Sequence, residues 1–263
     1  MSTDPTSKSD SDPTVRRLRP LGETIFATMS RLTQETGAIN LGQGYPDRDG
    51  PQIMPDEAAD AIRRGGNQYV PGRGTGELRG AICEDRRRRL GRNWNPDTEC
   101  LVTVDATEGI TAGVLGLVEP GTLVVLIERF YNSYRAEAIL AGAKWTAVPL
   151  VTGDDGWRLD VAALRDAVRD DTTMIIINTP HSPTGTIFTR IELEAIADVA
   201  LDSGAFVLAE KVDLPGVFTP MTGQSIVGET GLQTDGVLET TPSLGPQKRV
   251  KRGPRQPPHR ESA

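Results

Sequence analysis

Met174-Ile175-Ile176-Ile177-Asn178-Thr179-Pro180-His181-Ser182-Pro183-Thr184-Gly185 is the stretch on which the fold turns. It begins with four apolar residues, three of them β-branched, the composition of a strand buried on both faces. Asn178 ends the run, and Pro180, Pro183 and Gly185 punctuate the residues after it, so the strand opens into a tight polar loop. In an open α/β fold such a loop lies at the carboxyl edge of a parallel sheet, where these folds bind ligands. An ordinary strand-to-loop junction has the same composition, so the decision rests with the flanking chain.

Outward from this stretch the pattern alternates regularly. Leu101–Val104, Leu123–Ile127, Trp145–Leu150, Met174–Asn178 and Ala205–Ala209 read as strands. Between them Glu108–Val118, Ser133–Ala141, Asp160–Val168 and Ile191–Leu201 read as helices. Strands separated by helices of this length imply right-handed crossovers. The fold class is therefore α/β, a mainly parallel sheet with helices on both faces. Upstream, Ile25, Met29 and Leu32 stand at helical spacing after Pro20. Pro55–Arg64 reads as a helix stopped by Gly65-Gly66, and Leu78–Leu90 as a further helix. The arginine run Arg86–Arg89 on that last helix reads as a solvated face.

Composition narrows the function classes. At 263 residues and 37% hydrophobic content, the chain can bury one sizeable core. A net charge of −7 argues against a general nucleic-acid binder. Cys83 and Cys100 have neither metal-ligand spacing nor a disulfide framework, and a reduced, cytoplasmic setting is expected. No apolar run has the length of a membrane span. Residues 1–14 read as a disordered leader rich in Ser, Thr, Asp and Pro. Residues 15–50 read as an N-terminal arm, 51–218 as the main domain, and 219–263 as a divergent, basic, Pro-rich tail without regular structure. A dinucleotide-binding enzyme is disfavoured, because no G-x-G-x-x-G follows a strand and opens a helix.

The opening stretch resembles the N-x-P-x-N-P-T-G signature of the class I/II aminotransferases, fold type I enzymes that use pyridoxal 5′-phosphate, with Ser182 at the second Asn. Gly42-Gln43-Gly44-Tyr45-Pro46-Asp47 is similar to the G-Q-G-F-P-D segment of the N-succinyldiaminopimelate and kynurenine aminotransferase branch. Asn67-Gln68-Tyr69 through Leu78-Arg79 resembles its N-Q-Y-x-x-x-x-G-x-x-x-L-R block, and Glu128 to Tyr134 its E-P-x-[FY]-x-x-Y. The resemblance covers about Leu21 to Phe218. It implies the incomplete large domain of such an enzyme, acting on an amino acid and a 2-oxo acid, and a homodimer with a shared site. It also implies roles: Gly44 for the substrate carboxylate, Tyr69 for the cofactor phosphate of the neighbouring subunit, and Ala106 and Thr107 for the phosphate. Tyr131 would stack on the pyridine ring, Asn178 and Ser182 serve the 3′-oxygen, and Glu210 and Asp213 stand where the family has D-x-x-Y.

Four positions depart from the family pattern. Asp105 replaces a glycine beside the phosphate turn, where its charge repels an anion. Ser182 replaces an asparagine, Glu210 is one methylene longer than the family's Asp, and Asp213 cannot stand in for a phenol. The chain has five lysines, Lys8, Lys144, Lys211, Lys248 and Lys251. None lies in an S-x-x-K motif of the kind that carries the family's Schiff-base lysine. The expectation is an aminotransferase-family protein that is truncated and inactive alone. The alternative is a non-catalytic homologue that binds pyridoxal phosphate or a full-length partner subunit.

Overall fold

The computed structural model describes residues 13–42, 50–91, 93–153, 156–210 and 237–239. Contacts divide the chain into two units after Thr75. In the first, helix α1 (Ile25–Thr36) starts where the Thr24 side chain accepts a hydrogen bond from the Ala27 N–H. It ends at Gly37, whose φ of 67° suits a residue without a Cβ. Helix α2 (Ile53–Arg63) follows, and neither helix carries a buried residue. α1 is capped locally, whereas α2 has no side-chain N-cap, and neither packs on a core among the described residues.

The second unit opens with α3 (Gly76–Leu90). Its arginine run is mostly the expected solvated face: Arg87 pairs with Glu84, Arg88 with Glu84 and Asp85, and Arg89 with Asp85, at helical spacing. Arg86 departs from it and is buried. The order then runs α4 (Ala106–Leu117), β1 (Leu123–Ile127), α5 (Asn132–Leu140), β2 (Lys144–Val148), β3 (Leu150–Gly153), β4 (Gly156–Leu159), α6 (Val161–Ala167), β5 (Thr172–Asn178), α7 (Arg190–Ser203), β6 (Phe206–Glu210) and β7 (Val237–Glu239).

Five strands form one parallel sheet in the order β2-β1-β5-β6-β7. Side chains alternate across it, as the period of two requires. Leu123, Val125 and Ile127 of β1, Ile175 and Ile177 of β5 and Val207 of β6 pack with Leu164 of α6 and Leu193, Ile196 and Val199 of α7. Val124 and Leu126, Met174 and Ile176, and Leu208 pack on the other face with Ile110 and Val114 of α4 and Tyr134 and Ala138 of α5. Each such aliphatic side chain contributes roughly 1.5–3 kcal/mol by leaving water. Helices therefore cover both faces of a parallel sheet, as the alternation of the sequence indicates.

Three readings are corrected. Leu101–Val104 forms no strand: the Thr103 hydroxyl donates to the Asp105 carbonyl, and the Glu108 carboxylate accepts from Val104 N–H. These local bonds draw the segment into the cap of α4 instead of a ladder. The expected strand Trp145–Leu150 divides at Pro149, which has no N–H to donate, and its second part pairs antiparallel with β4. Val237–Glu239, in the stretch read as lacking regular structure, adds in parallel to β6, a partner that no local period reveals. Residues 1–12 of the leader, Lys211, Asp213, Gly44 and most of the basic tail lie outside the described residues.

Glu192 locks α7 to the β3–β4 hairpin. It is 5% exposed; one carboxylate oxygen accepts from Leu159 N–H at 2.7 Å. The other accepts from Thr189 N–H at 2.6 Å and the Thr189 hydroxyl at 2.7 Å, closing a capping box. Glu192→Ala orphans these buried donors, and the expected loss is about 2–4 kcal/mol. Urea denaturation measures it, with Glu194→Ala, which breaks only the exposed pair with Arg190, changing stability by under ~0.5 kcal/mol. Equal effects of the two substitutions contradict the lock.

Candidate functional site

The strand order reverses direction between β1 and β5: the chain leaves β1 for β2 on one side, while β5 lies on the other. Connections that part in this way leave a crevice at the carboxyl ends of the two strands. Asn178, the last residue of β5, stands beside Glu210, the last residue of β6. The Asn178 amide donates to the Glu210 carboxylate at 3.3 Å and to the Glu210 carbonyl at 3.4 Å. Its own oxygen accepts from Ser182 N–H, so one side chain ties the loop after β5 to the end of β6.

The loop is held from within as well. His181 N–H donates to the Thr186 carbonyl, and Gly185 N–H to the His181 carbonyl, with Gly185 at φ 72°. That left-handed conformation explains the glycine. The His181 ring contacts the Thr184 hydroxyl at 2.9 Å, and burial holds its imidazole below the usual range.

The opposite wall begins at α4. Asp105 is its N-cap, and one carboxylate oxygen accepts from Thr107 N–H at 2.6 Å and Glu108 N–H at 3.3 Å. Ala106 and Thr107 form the first turn and are half-buried. An anion arriving at this helix start needs the same amides. They are already taken.

Glu210 is half-buried, and burial, reinforced by the charge of Asp105, pushes its carboxyl up to about 7. Glu137 of α5 was not singled out in the sequence. It is 4% exposed, accepts from the Ser133 and Thr111 hydroxyls, and is raised by burial and, more weakly, by Asp105. The only sequence signal for it is an acid among the apolar positions of α5. Three carboxylates thus share one electrostatic field.

The remaining candidates are distributed unevenly. Tyr131, at the N-cap of α5, is 38% exposed and meets the Tyr134 ring edge-on at 6.0 Å. Ser182 is exposed on the loop, with its backbone rather than its hydroxyl bonded to Asn178. Tyr69 belongs to the unit before Thr75 and is fully exposed. Close by Thr184, a small pocket is lined by Glu128, Arg129, Leu150 and Trp157, with the Arg129 guanidinium 6.0 Å over the Trp157 ring. Asn178, Ser182 and Glu210 are brought together by contact, and Asp105 joins them through its field.

Comparison with known proteins gives a consistent outcome. The family described as aminotransferase class I and II matches residues 36–218. A probable N-succinyldiaminopimelate aminotransferase of Mycobacterium tuberculosis is 52% identical over 199 residues, 76% of this chain and 50% of the relative. The methionine aminotransferase of Escherichia coli (strain K12) is 33% identical over 196 residues, 74% and 50% of the two chains. The solved N-succinyldiaminopimelate aminotransferase of Mycobacterium tuberculosis superposes with a TM-score of 0.81 at 48% identity, covering 86% of this chain and 59% of that one. The chain spans about half the length of the curated relatives it matches.

The shift of Glu210 has a thermodynamic consequence. Between the ordinary value of 4.5 and about 7, the folded chain holds a proton on Glu210 that the unfolded chain has released. Stability from this group is therefore lost as pH rises through that window, by on the order of 3 kcal/mol. Glu210→Gln should flatten this part of the pH dependence in urea denaturation between about pH 5 and about pH 8. A Gln variant with the wild-type slope contradicts the assignment.

Proposed function

The chain belongs to the class I and II aminotransferases, and from that premise we propose that it is a ring-binding aminotransferase domain that transfers no amino group by itself. The family's reaction moves an amino group between an amino acid and a 2-oxo acid, and its members depend on pyridoxal phosphate. The observation that carries the reading is the Asn178–Glu210 pair at adjacent strand ends. A half-buried carboxylate there favours a ring with a protonated nitrogen, because the cation offsets the cost of ionising Glu210. In this proposal Tyr131 stacks on the ring, Asn178 and Ser182 serve the 3′-oxygen, Gly44 keeps the role its position suggests, and Asp213 does not replace the family's phenol.

The phosphate is a different matter. Ala106 and Thr107 stand at the right kind of helix start, but the Asp105 carboxylate sits on the amides a phosphate needs. At an effective dielectric of about 20, two unit charges 4 Å apart repel by roughly 4 kcal/mol, far more than a cap contributes. The residues present fit the ring and do not fit the phosphate.

The lysines support the absence of turnover. Lys144 is the first residue of β2, level with Leu123 at the amino edge of the sheet, and it pairs with Asp171 at 3.3 Å. That is the edge opposite Asn178 and Glu210. The other four lysines lie outside the described residues and outside any family motif. A second reading, docking to a full-length partner subunit or a second copy, is favoured by Tyr69 and Val70, exposed to 103% and 66%. A cytoplasmic setting belongs to the proposal, supported by Cys83 and Cys100, which are buried and not joined in a disulfide.

The test is incubation with pyridoxal phosphate, borohydride reduction and mapping of pyridoxyl-lysine by mass spectrometry. No stoichiometric label and no transaminase turnover are expected. Labelling of a single lysine, with turnover abolished by its replacement with Ala, overturns the proposal. Pull-down of a full-length paralogue that is lost on Tyr69→Ala selects the second reading.

A further inference from the structure

We infer that Asp105 is a specificity-determining residue whose carboxylate acts as a built-in occupant of the helix start, setting the site against phosphorylated ligands and toward pyridine ligands whose corresponding arm ends in a neutral hydroxyl. For the ring the inference rests on the reading proposed above. For the anion it rests on α4 alone.

The first turn of a helix leaves N–H groups without intrahelical partners, and a bound anion ordinarily satisfies them. Here the chain supplies the acceptors. Asp105 takes Thr107 N–H and Glu108 N–H. Just upstream, Val104 N–H donates to the Glu108 carboxylate at 2.5 Å, and the Thr103 hydroxyl donates to the Asp105 carbonyl at 2.7 Å. The turn is thus stitched from both sides, and the Asp105 carboxylate occupies the amides that incoming phosphate oxygens would need.

Moving the side chain aside does not open the site. Asp105 has the extended backbone of an N-cap, φ −157° and ψ −168°, and its carbonyl accepts from Gly109 N–H. The carboxylate can rotate off the amides, but its charge remains within reach of them. Glu210 and Glu137 both feel that charge, so a phosphate would join a field that is already negative. A hydroxymethyl arm behaves oppositely, because it adds no charge and can donate its O–H to a carboxylate. Glycine at this position removes the occupant and the charge together.

Pyridoxine and pyridoxine 5′-phosphate test this without aldehyde chemistry, with inorganic phosphate as a probe of the helix start alone. Calorimetric titration compares the wild-type chain, Asp105→Gly and Asp105→Asn, each checked for folding by circular dichroism. The wild type should bind the phosphate ester no more tightly than pyridoxine. Asp105→Gly should bind the ester at least about tenfold more tightly than wild type, with inorganic phosphate gaining in parallel. Asp105→Asn keeps a capping oxygen without the charge and should gain about threefold, and it carries the test should the Gly variant not fold. A wild-type preference for the ester of about tenfold, or folded variants with no gain for either phosphate probe, overturns the inference. A gain for inorganic phosphate with no binding of pyridoxine to any variant leaves the role of Asp105 standing and removes the ring-binding reading instead.

Discussion

A parallel strand covered on both faces has no side chain free for chemistry until it ends. β1 and β5 meet this constraint along nearly their whole length, one set of side chains facing α6 and α7 and the other α4 and α5. Polar function is therefore confined to the carboxyl edge, and the last residues of β5 and β6 become the floor of the crevice. Asn178 and Glu210 lie there because parallel register sets them side by side. Slipping β6 by one residue would turn Glu210 into the core and Ala209 into the site. The buried alternation of Met174 to Ile177 is thus what aims the site.

The same edge carries an unusual charge. A buried carboxylate favours its protonated form unless a cation or hydrogen-bond donors compensate. Glu137 has two hydroxyl donors and Glu210 one amide, and both remain raised. Asp105 adds to the load while serving the fold, since an N-cap of this kind contributes about 1 kcal/mol to its helix. Local helix stability and acceptance of an anion are opposed at this residue. A glycine there has no side-chain cap and leaves the amides for a ligand, whereas an aspartate keeps them for the chain.

The unit before Thr75 obeys another logic. Its two helices contribute no buried residue, only α1 having a side-chain N-cap, while Ile39, Leu41 and Tyr69 stand exposed to 84%, 91% and 103%. The exposure of Tyr69 suits the proposal that its block serves an interface, and no residue of α1 or α2 is buried.

Period and punctuation carried much of the fold. Leu123–Ile127 is a strand with the bounds its composition indicates, and Met174–Asn178, extended by two residues at its start, is another. Helices α4 to α7 lie within about two residues of their expected ends. These elements are legible because burial on a sheet imposes a pattern that residue type alone records. Leu101–Val104 was illegible for the opposite reason: its apolar letters suit a strand, but bonds to Asp105 and Glu108 consume its polar groups. The motif residues Asn178, Ser182 and Glu210 could be named from the chain. That Asn178 would bond both the loop and the neighbouring strand depends on a pairing 32 residues distant in sequence, and only the tertiary structure supplies it. The field shared by Asp105, Glu137 and Glu210 is of the same kind, since three acids from a helix start, a helix and a strand end acquire a common chemistry only where packing brings them near and excludes water. The sequence by itself determined the layers, the family motifs and which residue types reach the carboxyl edge. The tertiary structure decided which of their polar atoms are already spoken for, because a hydrogen bond depends on where two groups end up and not on what either of them is.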